Sequence, residues 1–188
     1  MRLQPETPTL SSSISGTYRL EICRGRCGPS GAIALASGTL VIEDTSYTTA
    51  DISPVAREYF ETWTALLLGI GARDRPNACF VLSRANDDVH TYAGLQEVGL
   101  TRLEPHQGDS VLVALYQSPD ASYHAIIRPT DGLLVGRGRS HGVADAADDF
   151  EMDSVRASRI GPPDRMICIR AAETAAADLN ARRRSPQP

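Results

Sequence analysis

The sequence predicts a mainly β protein, an antiparallel meander folded as a barrel or sandwich, with one central helix at about 54–68 and a second helix at the C-terminus. Three observations predict it. Short runs of β-branched and aliphatic residues recur at close intervals from Ala78 onward, turn-forming clusters separate them, and no helix-length segment lies between them. The first two are the mark of an all-β chain, and the third disfavours parallel strands, which need long crossovers.

The elements follow in order. Residues 1–13 are rich in Pro, Ser and Thr without periodicity and read as a flexible leader. From Gly16, Tyr18, Leu20 and Ile22 alternate with Thr17, Arg19 and Glu21, the period-two pattern of a half-buried strand. Cys23 to Gly31 reads as a turn, and Ala32 to Glu43 as a second strand with Gly38 as a bulge or bend, so the chain opens as a β-hairpin. Ser53-Pro54 is a helix-start signal, and Val55, Tyr59, Trp63, Leu66, Leu67 and Ile70 recur three and four apart beyond it. The competing reading makes Phe60 to Leu68 a strand, because Phe, Thr and Trp favour sheets. Strands are then expected at 78–84, 89–93, 97–104, 110–117, 122–128, 132–139, 149–159 and 166–170, with an Ala-rich helix at 171–184 and a frayed tail at 185–188. Residues 14–184 are read as one domain, a length that suits a single core.

Composition bounds the function classes. The chain has 188 residues, 41% hydrophobic and 22% charged, close to ordinary globular usage. Its net charge is −4, and the 19 positive charges are all arginine. No general positive field would draw nucleic acid or an acidic membrane, so neither is expected as a partner. No apolar run approaches the length of a transmembrane helix, the longest being Ala65 to Ile70.

Four cysteines allow three disulfide pairings. Pairing Cys23 with Cys27 closes a Gly-containing turn, and pairing Cys79 with Cys168 would link neighbouring strands. A zinc site fits poorly, because Cys79 and Cys168 are not closely spaced; buried free thiols remain open. Disulfides persist in oxidising compartments, so a periplasmic or secreted protein with its signal removed is expected, the alternative being cytoplasmic.

The segment Gly136-Arg137-Gly138-Arg139-Ser140-His141-Gly142 sets two arginines and a histidine among three glycines. Guanidinium donors on flexible backbone suit an anion or carboxylate clamp, while the simpler reading is a solvated β-turn at a strand end. Asp145, Asp148, Asp149, Glu151 and Asp153 follow, and their spacing does not match the twelve-residue calcium loop. His90, His106, His124 and His141 occupy separate elements with no metal-ligand spacing; Tyr123 and His124 alternate on one strand, so only one faces inward. There is no nucleophile elbow, no His-Glu-x-x-His and no tight redox cysteine pair, so no catalytic residue, metal or cofactor is implied.

Gly16-x-Tyr18 opening a meander that ends in a late helix resembles the calycin superfamily of small barrels, whose lipocalin branch opens with Gly-x-Trp. The resemblance covers the architecture of about residues 14–184 and one three-residue motif; here the aromatic is Tyr18, the single tryptophan is Trp63, and the helix at 54–68 departs from the simple meander. It implies a non-enzymatic exported binder of a small apolar ligand, with the Tyr18 strand closing the barrel base. The expectation is therefore a bacterial exported binding protein. Second comes an inhibitor or immunity-type protein that blocks a partner enzyme through its loops, with Arg137, Arg139 and His141 entering an acidic cleft. An enzyme with a histidine-centred site ranks third. Candidate binding residues are Arg137, Arg139, His141, Tyr123 and His124.

Overall fold

The computed structural model describes residues 14–28, 33–45, 47, 53–55, 76–84, 97–117, 121–142 and 153–184. Nine strands form one antiparallel sheet: β1 (Gly16–Arg24), β2 (Ile33–Ile42), β3 (Ala78–Arg84), β4 (Glu97–Thr101), β5 (Glu104–Pro105), β6 (Val111–Gln117), β7 (Ala121–Thr130), β8 (Leu133–Gly142) and β9 (Asp153–Gly161). Their order across the sheet is β4-β3-β2-β1-β9-β8-β7-β6-β5, so the first and last strands are neighbours. A C-terminal helix, α1 (Met166–Arg184), follows.

The order forces curvature. Nine strands laid flat would hold β4 and β5 roughly 38 Å apart at the usual strand spacing. Only Arg102 and Leu103 join Thr101 to Glu104, a reach of about 10 Å. The sheet therefore curls into a half-barrel, and Leu103, 1% exposed, fills the space where its ends approach. Leu103 is fixed there by its own N–H, which donates to Asn77 Oδ1 at 2.9 Å.

Alternation sets the interior. Tyr18, Leu20 and Ile22 of β1 turn inward with Leu40 and Ile42 of β2, Phe80 and Leu82 of β3, Val111 and Val113 of β6, Ile127 of β7, Leu134 of β8 and Val155 of β9. Gly136 of β8 is needed for the curl, since a Cβ there would lie 1.9 Å from the Ile126 carbonyl oxygen. Asp131 and Gly132, both at positive φ, form the two-residue turn from β7 to β8 that the Asp-Gly pair favours. Gly38 stands in unbroken register with Leu82 and causes no bulge toward β3.

Three sequence expectations are corrected. Residues 166–170 are not a strand but the first turns of α1, which runs to Arg184. A short apolar run reads alike in strand and buried helix; the deciding signal is Asp164, whose Oδ1 accepts the Met166 N–H at 3.0 Å and starts the helix. The segment 136–142 is not a turn at a strand end, because all of it lies within β8, paired with β7. Gly136 serves close strand approach rather than chain reversal. The expected strand at 97–104 breaks at Arg102 and Leu103, where the half-barrel's ends meet.

The leader at 1–13, the strand at 89–93 and the tail at 185–188 lie outside the described residues. So does the helix at 54–68, apart from Pro54 and Val55, which are helical.

Candidate functional site

Two outer faces of the half-barrel are built differently. Outside β2, β3 and β4, Val41, Cys79, Val81, Val98 and Leu100 are apolar and covered by Cys168, Ile169 and Ala172 of α1. Cys168 and Ala172 are four apart and Ala176 another four, so one stripe of the helix meets the sheet. The Cys79–Cys168 disulfide ties that stripe down, joining strand to helix rather than strand to strand.

Polar groups fasten the edge of this contact. Arg165 Nε and Nη2 donate to Glu43 Oε1 and Oε2 at 3.2 and 3.0 Å, a two-point grip on the carboxylate. The same guanidinium lies 5.0 Å from the Tyr47 ring centroid, and Tyr47 Oη donates to Cys79 Sγ at 3.3 Å. Thr17 Oγ1 donates to the Pro162 carbonyl at 2.6 Å and accepts from the Asp164 N–H at 3.1 Å, which sets where the helix begins.

Among the described residues, no helix covers the other outer face. Across β7, β8, β9 and β1 the outward positions form cross-strand rows: Ile126, Arg137, Ser154 and Cys23; then Arg128, Val135, Arg156 and Glu21; then Thr130, Leu133, Ser158 and Arg19. Leu112 extends the first row onto β6, and Glu104 stands at its far edge. Arg19, Arg128 and Arg137 are exposed, as is Ile126 at 36%. These three rows thus gather four arginines and one carboxylate, and aliphatic residues stand directly opposite Arg128 and Arg137. Arg156 Nε is buried there without a hydrogen-bond partner.

The predicted binding residues fall as follows. Arg137 lies on this face beside Ile126; Arg139 stands opposite His124 in the register, and His141 opposite Ser122. Arg137, Arg139 and His141 therefore lie on alternate rungs of the β7–β8 ladder, with His124 opposite the middle one. Tyr123 pairs with Ser140, in the intervening row. His106 is exposed near the β5–β6 turn, away from the others, while His90 and the acidic residues 145–151 lie outside the described residues. Arg19, Arg128, Arg156 and Ile126 escaped the sequence reading. Their alternation with inward residues was visible, but Arg156 meets Arg128 and Ile126 only through β8 and β9, and Arg19 joins them only because β1 pairs with β9, a partner more than a hundred residues away.

Cys23 and Cys27 are joined, closing a ring at the end of β1. Ser154 Oγ donates to the Gly25 carbonyl and holds that ring over β9. At the opposite end of β1, the buried Tyr18 hydroxyl donates to the Ile14 carbonyl at 2.8 Å. Burial holds its pKa above 10.0, the usual tyrosine value, and the positive charge of Arg159 offsets part of the rise.

The interior is closely packed around its described residues. Leu20, Leu40, Ile42, Leu103, Val113, Ile127 and Leu134 expose 1% or less, so no water-sized void adjoins them. No helix among the described residues is long and apolar enough to cross a membrane. No family model matches the chain, and neither a curated protein nor a solved structure matches it.

Proposed function

We propose that this chain is an exported, non-enzymatic binding protein whose outer face around Arg137 docks an acidic partner protein, blocking that partner where it is an enzyme. The observation that carries this reading is the exposed arginine and aliphatic surface of β7, β8, β9 and β1, which no element among the described residues covers. Ile126 gives such a surface an apolar centre; Arg19, Arg128 and Arg137 give it donors that fit carboxylates in pairs. Like charges gathered on one sheet face repel, and an acidic partner relieves that repulsion. Export is supported by two disulfides, which persist in oxidising compartments.

A second reading is a calycin-like barrel holding a small apolar ligand. What supports it is the pairing of first and last strands, which gives the sheet the order of an up-and-down barrel. Against it stands the close packing of the described interior, which leaves a ligand no room beside Leu20, Leu40 or Ile127.

The test is capture of a stoichiometric partner by the wild-type protein and by the Arg137→Ala, Arg139→Ala double variant, with thermal unfolding measured for both. Loss of the partner at unchanged unfolding supports the proposal. A variant that captures the partner equally well overturns it, and a small molecule retained by the purified protein in native mass spectrometry favours the second reading.

A further inference from the structure

We propose that the Cys23–Cys27 disulfide is a thiol–disulfide exchange site, opened by an external dithiol attacking Cys27 while Cys79–Cys168 stays closed. The proposal is independent of which partner the arginine face takes. Access separates the two disulfides. Gly25, Arg26 and Gly28 are exposed and Cys27 is half-buried, whereas Cys79 and Cys168 are both fully buried beneath α1. Cys23, at 4% exposure, is the shielded partner of its own pair, so an incoming thiolate meets Cys27 first.

The surroundings also accommodate the reduced form. Cys27 Sγ lies 3.4 Å from the Ser154 carbonyl oxygen and 3.7 Å from that of Glu21. A disulfide sulfur has no hydrogen to donate, yet both acceptors already stand at S–H···O distance. Once reduced, the Cys27 thiol finds a partner without moving. Two arginines, Arg24 and Arg26, lie within the ring sequence, and nearby positive charge favours the thiolates through which exchange proceeds. Cys23 keeps its ladder places opposite Ala34 and Ser154, so opening the ring frees residues 25–28 without undoing β1.

The chemistry balances with a dithiol as reductant. Its first thiolate attacks Cys27 Sγ, forming an intermolecular S–S bond and breaking the Cys23–Cys27 bond; Cys23 leaves as thiolate and takes a proton. Its second thiolate attacks the reductant sulfur of that mixed disulfide, closes the reductant's own disulfide and expels Cys27, which is protonated in turn. Two electrons and two protons pass from the dithiol to the protein.

The experiment treats the folded, full chain with dithiothreitol at neutral pH without denaturant, blocks thiols with iodoacetamide and maps the modified cysteines by peptide mass. The expected result is alkylation of Cys23 and Cys27 alone, with Cys79 and Cys168 still joined and far-UV circular dichroism unchanged. A Cys23→Ser, Cys27→Ser double variant then releases no thiol under the same conditions. Appearance of all four thiols together, of Cys79 and Cys168 first, or of none until denaturant is added overturns the proposal.

Discussion

On the outside of β2, β3 and β4 the outward positions are Val41, Cys79, Val81, Val98 and Leu100; on the outside of β7, β8, β9 and β1 they include Arg128, Arg137, Arg156 and Arg19. Both sets sit on the same half-barrel, over the same continuous interior. The first is apolar on both faces and would be insoluble without α1, which explains why Ala78-Cys79-Phe80-Val81-Leu82 is an unbroken apolar run rather than an alternating one. The second mixes polar and aliphatic residues, Arg128 and Arg137 standing outward beside Val135 and Ile126, and no element among the described residues covers it. The difference teaches where the proposed partner would act: the helix side is committed to stability, and the arginine side carries no cover among the described residues. The disulfides follow the same division, one sealed under the helix and one at the margin of the open face.

Substitutions can break or sharpen this contrast. Joining residues 89 apart constrains the unfolded chain far more than joining residues four apart. Replacing Cys79 and Cys168 with serine is therefore expected to cost about 4.5 kcal/mol, and replacing Cys23 and Cys27 about 2 kcal/mol. Urea denaturation of the two double variants checks the order; equal losses would erase the distinction between the sides. Val81→Asp, which buries an unpaired charge under α1, is expected to destabilise by about 3–5 kcal/mol, whereas Ile126→Asp on the open face stays within about 0.5 kcal/mol. Gly136→Ala is expected to cost about 1–3 kcal/mol, because its Cβ would meet the Ile126 carbonyl and flatten the curl.

The smallest effect concerns pH. Tyr18 keeps its proton in the folded state at pH values where the unfolded chain has lost it, because burial disfavours the phenolate. Its contribution to stability is complete below pH about 10 and is lost as pH rises through the raised folded value. Tyr18→Phe removes that alkaline loss along with the hydrogen bond to Ile14. A pH series of unfolding free energies for both proteins shows whether their curves diverge above pH 10.

Much of the sheet was legible because alternation is a local signal. The β1 pattern of Tyr18, Leu20 and Ile22, the aliphatic run from Val111 and the Asp131-Gly132 turn each carry their own evidence. Local signals fail where two structures share them. Met166 to Ile169 is apolar enough for a strand, and only the capping Asp164 and the three-and-four spacing of Cys168, Ala172 and Ala176 mark it as helix. Glycine misled for a related reason: in 136–142 it suggests a turn, while Gly136 serves close strand approach in the middle of β8. Of the site, Arg137 and Arg139 could be picked out because they are neighbours in sequence. Arg19 and Arg156 could not, since Arg156 reaches the same face only through the pairing of β9 with β8 and Arg19 only through that of β1 with β9, which no local pattern encodes.

The account depends on the arginines of the open face doing nothing for the fold. The most direct measurement is the unfolding free energy of an Arg19→Glu, Arg128→Glu, Arg137→Glu triple variant beside the wild type. A value within about 0.5 kcal/mol of wild type is predicted, as for surface positions without structural partners. A loss of more than about 2 kcal/mol would contradict it, because those residues would then be holding the sheet together rather than waiting for a partner.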